Sequence, residues 1–217
     1  MKTSPITIFS LLFGNVLFAQ TPTIQLKNPS LEDLPKAGTI PVGWTPCGMT
    51  GETPPDIQPG NFGCTLAPAN GQTYLGMVTR DNHTWESVSQ ELPASLDSGV
   101  CYTFTVQLAT SQDYHSTSRL TSMAANYNKP VVFQLWGGYG DCDEQVLLAE
   151  SPTIAHRDWK KYRFIVCHLQ PKPITYLMFQ AYYPPGKSCY PTNGNLLLDN
   201  LSEITVVDCP AYLADTV

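Results

Sequence analysis

Gly71 to Leu92 reads GQTYLGMVTRDNHTWESVSQEL, two β-prone runs joined by a polar turn. Tyr74 to Thr79 is apolar, Asp81-Asn82-His83 carries turn chemistry, and Trp85 to Leu92 alternates strictly. A strand sends successive side chains to opposite faces. Val88 and Leu92 therefore share one face with Glu86 and Gln90, while Trp85, Ser87, Ser89 and Glu91 take the other. The pattern predicts a hairpin with one core-facing side and with Arg80, Asp81, Asn82 and Trp85 at its tip. That is the centre of a β-sandwich with a polar site at one end.

Outward from this stretch the alternation continues. Cys101 to Ala109 puts Tyr102, Phe104, Val106 and Leu108 on one face and Thr103, Thr105 and Gln107 on the other. Val131 to Trp136 sends Val131, Phe133 and Leu135 inward and Gln134 and Trp136 outward, and Trp159 to Cys167 alternates again. Thr175 to Tyr183 is apolar on both faces, as a central strand is, and Leu196 to Val207 closes the chain's pattern. Roughly eight or nine strands at this spacing predict an all-β fold, a two-sheet antiparallel β-sandwich of jelly-roll type, as one domain over 21–208. Gln107, Gln134 and Gln180 fall mid-strand, where a covered amide needs a partner. They mark either one solvent-washed sheet face or a shallow polar groove with aromatic walls, where amides and rings meet a polar ligand.

The 217 residues suffice for a real core, and the net charge of −6 with no Lys/Arg cluster excludes nucleic acid and anionic membranes as partners. Residues 1–20 read as a signal peptide: Lys2, the apolar run Ile6 to Phe18, then Ala19. No second segment is long and apolar enough to be transmembrane. Residues 209–217 form a short tail. The chain is thus expected to be exported: secreted, periplasmic or at the cell surface. Seven cysteines fit that oxidising setting. Cys47 and Cys64 flank one Pro/Gly-rich loop and are the first expected pair, Cys142 and Cys189 the second. The odd count leaves at least one over, with Cys209 the expected leftover.

Two segments resemble a known superfamily. NPSLEDLPKAGTIPVGW (Asn28 to Trp44) and NLLLDNLSEI (Asn195 to Ile204) look like the first and last strands of carbohydrate-binding modules with the galactose-binding-like jelly roll. YLGMVTRDNHTWESVSQEL followed by GVCYTFTVQLA has the same superfamily's cadence, and the whole is similar to exported modules of Bacteroidetes-type bacteria. The resemblance implies a structural calcium held by Glu32 and Asp199, which clamps the termini; oxygen donors of that kind suit Ca²⁺. It also implies a carbohydrate ligand. Rings for stacking would come from Trp85, Trp136 and Tyr182, and hydrogen bonds from Arg80, Asp81, Asn82, Gln107 and Gln134.

Catalysis is not expected. No G-x-S-x-G, H-E-x-x-H or nucleotide-binding glycine loop occurs, and spacing selects no carboxylate pair for glycoside hydrolysis. The reading is a non-catalytic, lectin-like module. Its rivals are a protein-interaction or cell-envelope scaffold with a cell-envelope protein as partner, and then a glycoside-active enzyme.

Overall fold

A computed structural model describes residues 23–187 and 189–209. The expected signal segment and most of the 209–217 tail lie outside the described residues. The strands are β1 (Thr23–Ile24), β2 (Thr45–Pro46), β3 (Asp56–Gln58), β4 (Tyr74–Thr79), β5 (Ser87–Leu96), β6 (Cys101–Ala109) and β7 (His115–Thr117). They continue as β8 (Ala124–Asn126), β9 (Val132–Gly138), β10 (Val146–Glu150), β11 (Lys160–Cys167), β12 (Ile174–Tyr182), β13 (Gly194–Asp199) and β14 (Ile204–Val207).

Two antiparallel sheets face each other, as the alternation predicts. One has seven strands in the order β1-β14-β6-β13-β4-β3, with β11 on the far edge of β6; the other has five, in the order β10-β9-β12-β5-β2. β6 gives one whole edge to β11 and divides the other: Cys101 and Thr103 pair with β14, Gln107 and Ala109 with β13. Ser202 fills the break, its N–H reaching the Thr105 carbonyl while its hydroxyl accepts from the Thr105 N–H at 2.8 Å. Between the sheets Phe104, Phe133, Phe164 and Phe179 pack with ring centroids 5.4 to 6.5 Å apart. Such ring pairs contribute beyond their buried area.

The expected hairpin is only begun. Arg80 N–H donates to the Thr84 carbonyl, Thr79 bridges to Trp85, and Glu86 N–H donates to Val78. Then the strands part, β4 into the seven-stranded sheet and β5 into the five-stranded one. Burial explains the parting. β4 is covered on both faces: Leu75 and Met77 enter the inter-sheet core, while Tyr74 and Val78 join a second cluster with Cys64, Tyr114, Tyr127 and Leu197. Residues 74–92 therefore form a corner joining the two layers.

The disulfides also differ from expectation. Cys47 pairs with Cys142, 95 residues away, and not with Cys64. Cys64 is buried against the Tyr74 hydroxyl under the seven-stranded sheet, whereas Cys47 continues the edge of the five-stranded one, its N–H bonded to Ser87. Cys189 is exposed and unpaired. Cys101 stands between Cys167 and Cys209 and is placed to pair with either; as one sulfur makes a single disulfide these are alternatives, and Cys209 is left over only when Cys101 pairs with Cys167. Paired cysteines fit an extracytoplasmic setting. No helix among the described residues is long and apolar enough to cross a membrane.

Candidate functional site

The sequence-predicted residues separate into two groups at the corner. Arg80 is not presented at a tip; its side chain is 2 % exposed. Its Nη2 contacts the Glu86 carboxylate and the Thr53 hydroxyl (3.1 Å), and its Nε lies 3.4 Å from Glu52. A guanidinium is an expensive group to bury unless its N–H groups find acceptors, and this one is enclosed by three carboxylates. Glu52 is shared with Arg119 Nε (2.8 Å) and Asn82 Nδ2 (2.8 Å), and Asp56 accepts the Tyr114 hydroxyl at 2.5 Å. Burial, reinforced by Asp56, outweighs Arg80 and pushes Glu86 up to about 8. Burial also raises Asp56, against its bonds from Tyr114 and Gly38. At Glu52 burial is outweighed by Asn82 and the two arginines, and its carboxyl is lowered.

Asp81 serves the same assembly. Its carboxylate accepts from the Ser118 hydroxyl (2.6 Å), the Arg119 N–H (3.0 Å) and Asn193 Nδ2 (3.0 Å), which tie the connection between β7 and β8 over the cluster. About 30 Å³ of free space remains among Thr53, Asp56, Arg80, Glu86 and Tyr114, room for a water or two. Arg80 is thus enclosed in a structural cluster rather than presented at a tip, and Asp81 and Asn82, both half-exposed, carry hydrogen bonds of the same assembly. The signal was present in the alternation, which puts Glu86 on the core-facing side, where a carboxylate requires a cation.

The second group lies on the outward face of the five-stranded sheet. Phe133, Leu135, Leu177, Phe179 and Ala181 point into the core, so Gln134, Trp136, Met178, Gln180 and Tyr182 point away from it. Register lines them up in rows. Tyr182 stands opposite Val132; Ser87, Gln180, Gln134 and Glu150 form the next row; Ser89, Met178, Trp136 and Leu147 the one after. Gln180 Nε2 donates to Gln134 Oε1 (3.1 Å), Trp136 Nε1 to the same oxygen (3.3 Å), and Gln134 Nε2 to Glu150 (2.6 Å). Trp85 meets Tyr182 edge-on at 4.8 Å, and both rings are half-buried. Two rows of two residues separate Tyr182 from Trp136, about 14 Å at the rise of a strand.

A strap crosses part of this face. Residues 139–144 leave β9 and fold back, so that a Cβ on Gly138 would lie 2.3 Å from the Asp143 carbonyl. Only glycine admits so close an approach. The Cys47–Cys142 disulfide fixes the strap to the opposite edge of the sheet. On the same face Ser89 Oγ and Gln180 Oε1 are buried without a hydrogen-bond partner.

Gln107 does not join this row. It belongs to β6 of the other sheet, opposite Lys161 and Asp199, half-buried on the far side of the molecule. Alternation assigns a face within a strand and carries no information on which sheet the strand enters.

Glu32 and Asp199 come together, as the resemblance implies, around residues 69–73. Asp199 accepts the Ala69 and Asn70 N–H groups on one oxygen (both 2.9 Å) and the Asn200 N–H on the other (2.6 Å). Glu32 accepts the Gln72 N–H and lies against Gly71, where a Cβ would be 1.9 Å from its oxygen. Burial pushes Asp199 up to about 6 despite these bonds, with Glu32 adding to the effect. Donor N–H groups occupy the places a cation would take, so the residues present do not fit a calcium cage.

No known protein family matches the sequence, and neither does any curated protein. Solved structures do. A cyclase from Fischerella sp. TAU superposes with a TM-score of 0.55 at 14 % identity, over 88 % of this chain and 100 % of that one. A Stig cyclase from the same organism gives 0.51 at 16 % identity, over 88 % and 100 %. The CBM22 xylan-binding domain from Paenibacillus barcinonensis gives 0.44 at 14 % identity, over 82 % and 95 %. At these identities the likeness to the cyclases is one of fold: the jelly-roll sandwich.

Proposed function

We propose that the chain is a non-catalytic carbohydrate-binding module whose ligand lies on the outward face of the five-stranded sheet. The observation that carries this reading is the row Gln180–Gln134–Glu150, in which two buried amides hold the exposed Glu150 carboxylate, with half-exposed rings at Tyr182 and Trp136 on either side. A saccharide offers the complement: hydroxyls that both donate and accept, and apolar ring faces that stack on aromatics. Side chains already held in place lose little freedom on binding. Glu150 is exposed at the end of the row and accepts; Trp136, aligned by Gln134, presents its ring.

A catalytic site does not recommend itself. The strongest acid–base cluster, around Glu86, is closed over about 30 Å³ and is used up in neutralising Arg80. The test is a polysaccharide pull-down and glycan array with the exported chain, its Trp136→Ala and Tyr182→Ala variants, and Arg80→Lys as a variant outside the face. Specific binding lost in the first two, with unchanged circular dichroism, supports the reading. A folded chain that binds no glycan ends it.

A further inference from the structure

We propose that the platform continues into an acidic-sugar subsite, a cleft where Lys129 and Lys187 receive a carboxylate or sulfate group borne by the saccharide. This inference rests on the carbohydrate reading above. Beyond the Tyr182–Val132 row the two strands run out into Pro184 and Pro130, two residues further on each, and there a cleft of about 510 Å³ opens. That volume is in the range of small-ligand sites.

The charge of the cleft is opposite to that of the chain. Its lining holds Lys129 and Lys187 and no acidic residue, in a protein of net charge −6. Among the described residues neither lysine is within ion-pair distance of a carboxylate, while the other cations at this end, Arg80 and Arg119, are committed to Glu52 and Glu86. The lysines are therefore free to meet an anion from outside.

The walls are built rather than loose. Lys129 N–H donates to Asn193 at 3.1 Å and the residue bridges to Gly194; successive turns bond Lys187 N–H to Pro184 and Tyr190 N–H to Lys187, both at 2.9 Å. The Thr79 hydroxyl holds the Thr192 carbonyl at 2.9 Å. Prolines at 130, 184 and 185 fix their own φ and lower the cost of ordering the rim. Tyr190 is 75 % exposed, an aromatic ring turned to water beside two cations. A sugar carrying an acidic group would use both features: ring face on Tyr190, anion between the lysines. The neutral part of the same chain would lie over Tyr182 and the amide row.

Two exposed charge contacts are each modest, so the acidic group is expected to tighten binding about three- to tenfold, an effect that salt screens. The experiment titrates the exported chain with paired neutral and acidic probes: xylo-oligosaccharides without and with glucuronate side groups, and dextran against dextran sulfate. The expected result is tighter binding of the acidic member in at least one pair, lost in 0.5 M salt and in K129E/K187E, with neutral binding retained. Preference in the glucuronate pair assigns a carboxylate, and preference in the dextran pair a sulfate. Equal affinity within both pairs overturns the subsite and leaves the platform standing. A preference that survives K129E/K187E also overturns it. Acidic binding through the lysines with no role for Trp136 would keep the subsite and overturn the platform. Failure of every probe overturns both.

Discussion

The Arg80 cluster and the Gln134–Gln180 row lie on either side of Trp85 and are built from opposite kinds of polarity. The first gathers full charges, seals them from water and ties the connection between β7 and β8 over them; the second uses neutral amides, links them in a line and leaves rings at its margins. A buried charge demands local compensation, and Glu86, Glu52 and the Thr53 hydroxyl supply it to Arg80, leaving its Nη1 without a hydrogen-bond partner in a space of about 30 Å³. The amides of Gln134 and Gln180 are themselves buried and mostly committed to one another, to Trp136 and to Glu150, so what the row turns outward is the Glu150 carboxylate and the two rings. The charged residues around Arg80 thus serve the corner where the sheets part, and the function proposed above assigns recognition to Glu150 and the rings beside the amide row.

The comparison can be broken most directly at Arg80. Arg80→Ala strands Glu86 and Glu52 in the corner, and removing one partner of a buried pair typically costs ~3–5 kcal/mol. The expected outcome is a large fall in the urea midpoint, with glycan affinity of the remaining folded fraction unchanged. Affinity lost in parallel with no change in stability would put Arg80 in the ligand site after all. Gln107→Ala, on the far sheet, is expected to change stability by less than ~0.5 kcal/mol and affinity not at all.

A second test uses pH. Glu86 has its folded value raised to about 8 from 4.5, and Asp199 to about 6 from 3.8. For a raised value the contribution is fully present below the unfolded pKa and is lost as pH rises through the folded one. Stability should therefore fall between about pH 4 and 8, with a slope of at most ~1.4 kcal/mol per unit for each group. Glu86→Gln keeps a neutral hydrogen-bonding side chain and should flatten the upper half of that window, read as unfolding midpoints at pH 5 to 9. An unchanged profile would mean that Glu86 is ionised against Arg80 in the folded chain.

Much of this architecture is legible in the strand periodicity. The inward positions of Phe104, Phe133 and their neighbours follow from period-two alternation, and so do the outward positions of Gln134 and Trp136. What alternation cannot supply is partnership across the chain. β4 and β5 read as a hairpin because nothing local distinguishes a turn within one sheet from a corner between two; the difference lies in Cys64, Tyr114 and Tyr127, distant residues that bury the second face of β4. Gln107 and Gln134 have the same local pattern and opposite fates for the same reason. The Cys47–Cys142 bridge spans 95 residues, and loop proximity in sequence favoured Cys64.

Smaller effects sharpen the recognition side. Gln134→Ala with Gln180→Ala removes the row without creating a buried charge. We expect at least about a tenfold loss of glycan affinity, roughly 1.4 kcal/mol, measured by titration calorimetry. The rings at Trp136 and Tyr182 would still allow weak stacking. Unchanged affinity would move the site to the aromatic corner alone.

The smallest expected effect concerns calcium, and it extends the contrast to the far end of the sandwich. Asp199 is another buried carboxylate, and its compensation comes from three backbone N–H groups rather than a guanidinium. A cation bound only by the folded state would add about 2.7 kcal/mol when present at 100 times its Kd. In a chain of this size that is a rise of roughly 5–10 °C in Tm. If the amides suffice, saturating calcium and excess chelator should give melting curves within ~1 °C of each other. A rise of several degrees with calcium would mean that the 69–73 segment turns its carbonyls toward Glu32 and Asp199 when the ion arrives, in exchange for the N–H groups now there. Asp199→Asn separates the two accounts further: an amide nitrogen set against N–H donors destabilises the chain whether or not calcium is present, whereas loss of a cation site erases only the calcium-dependent part.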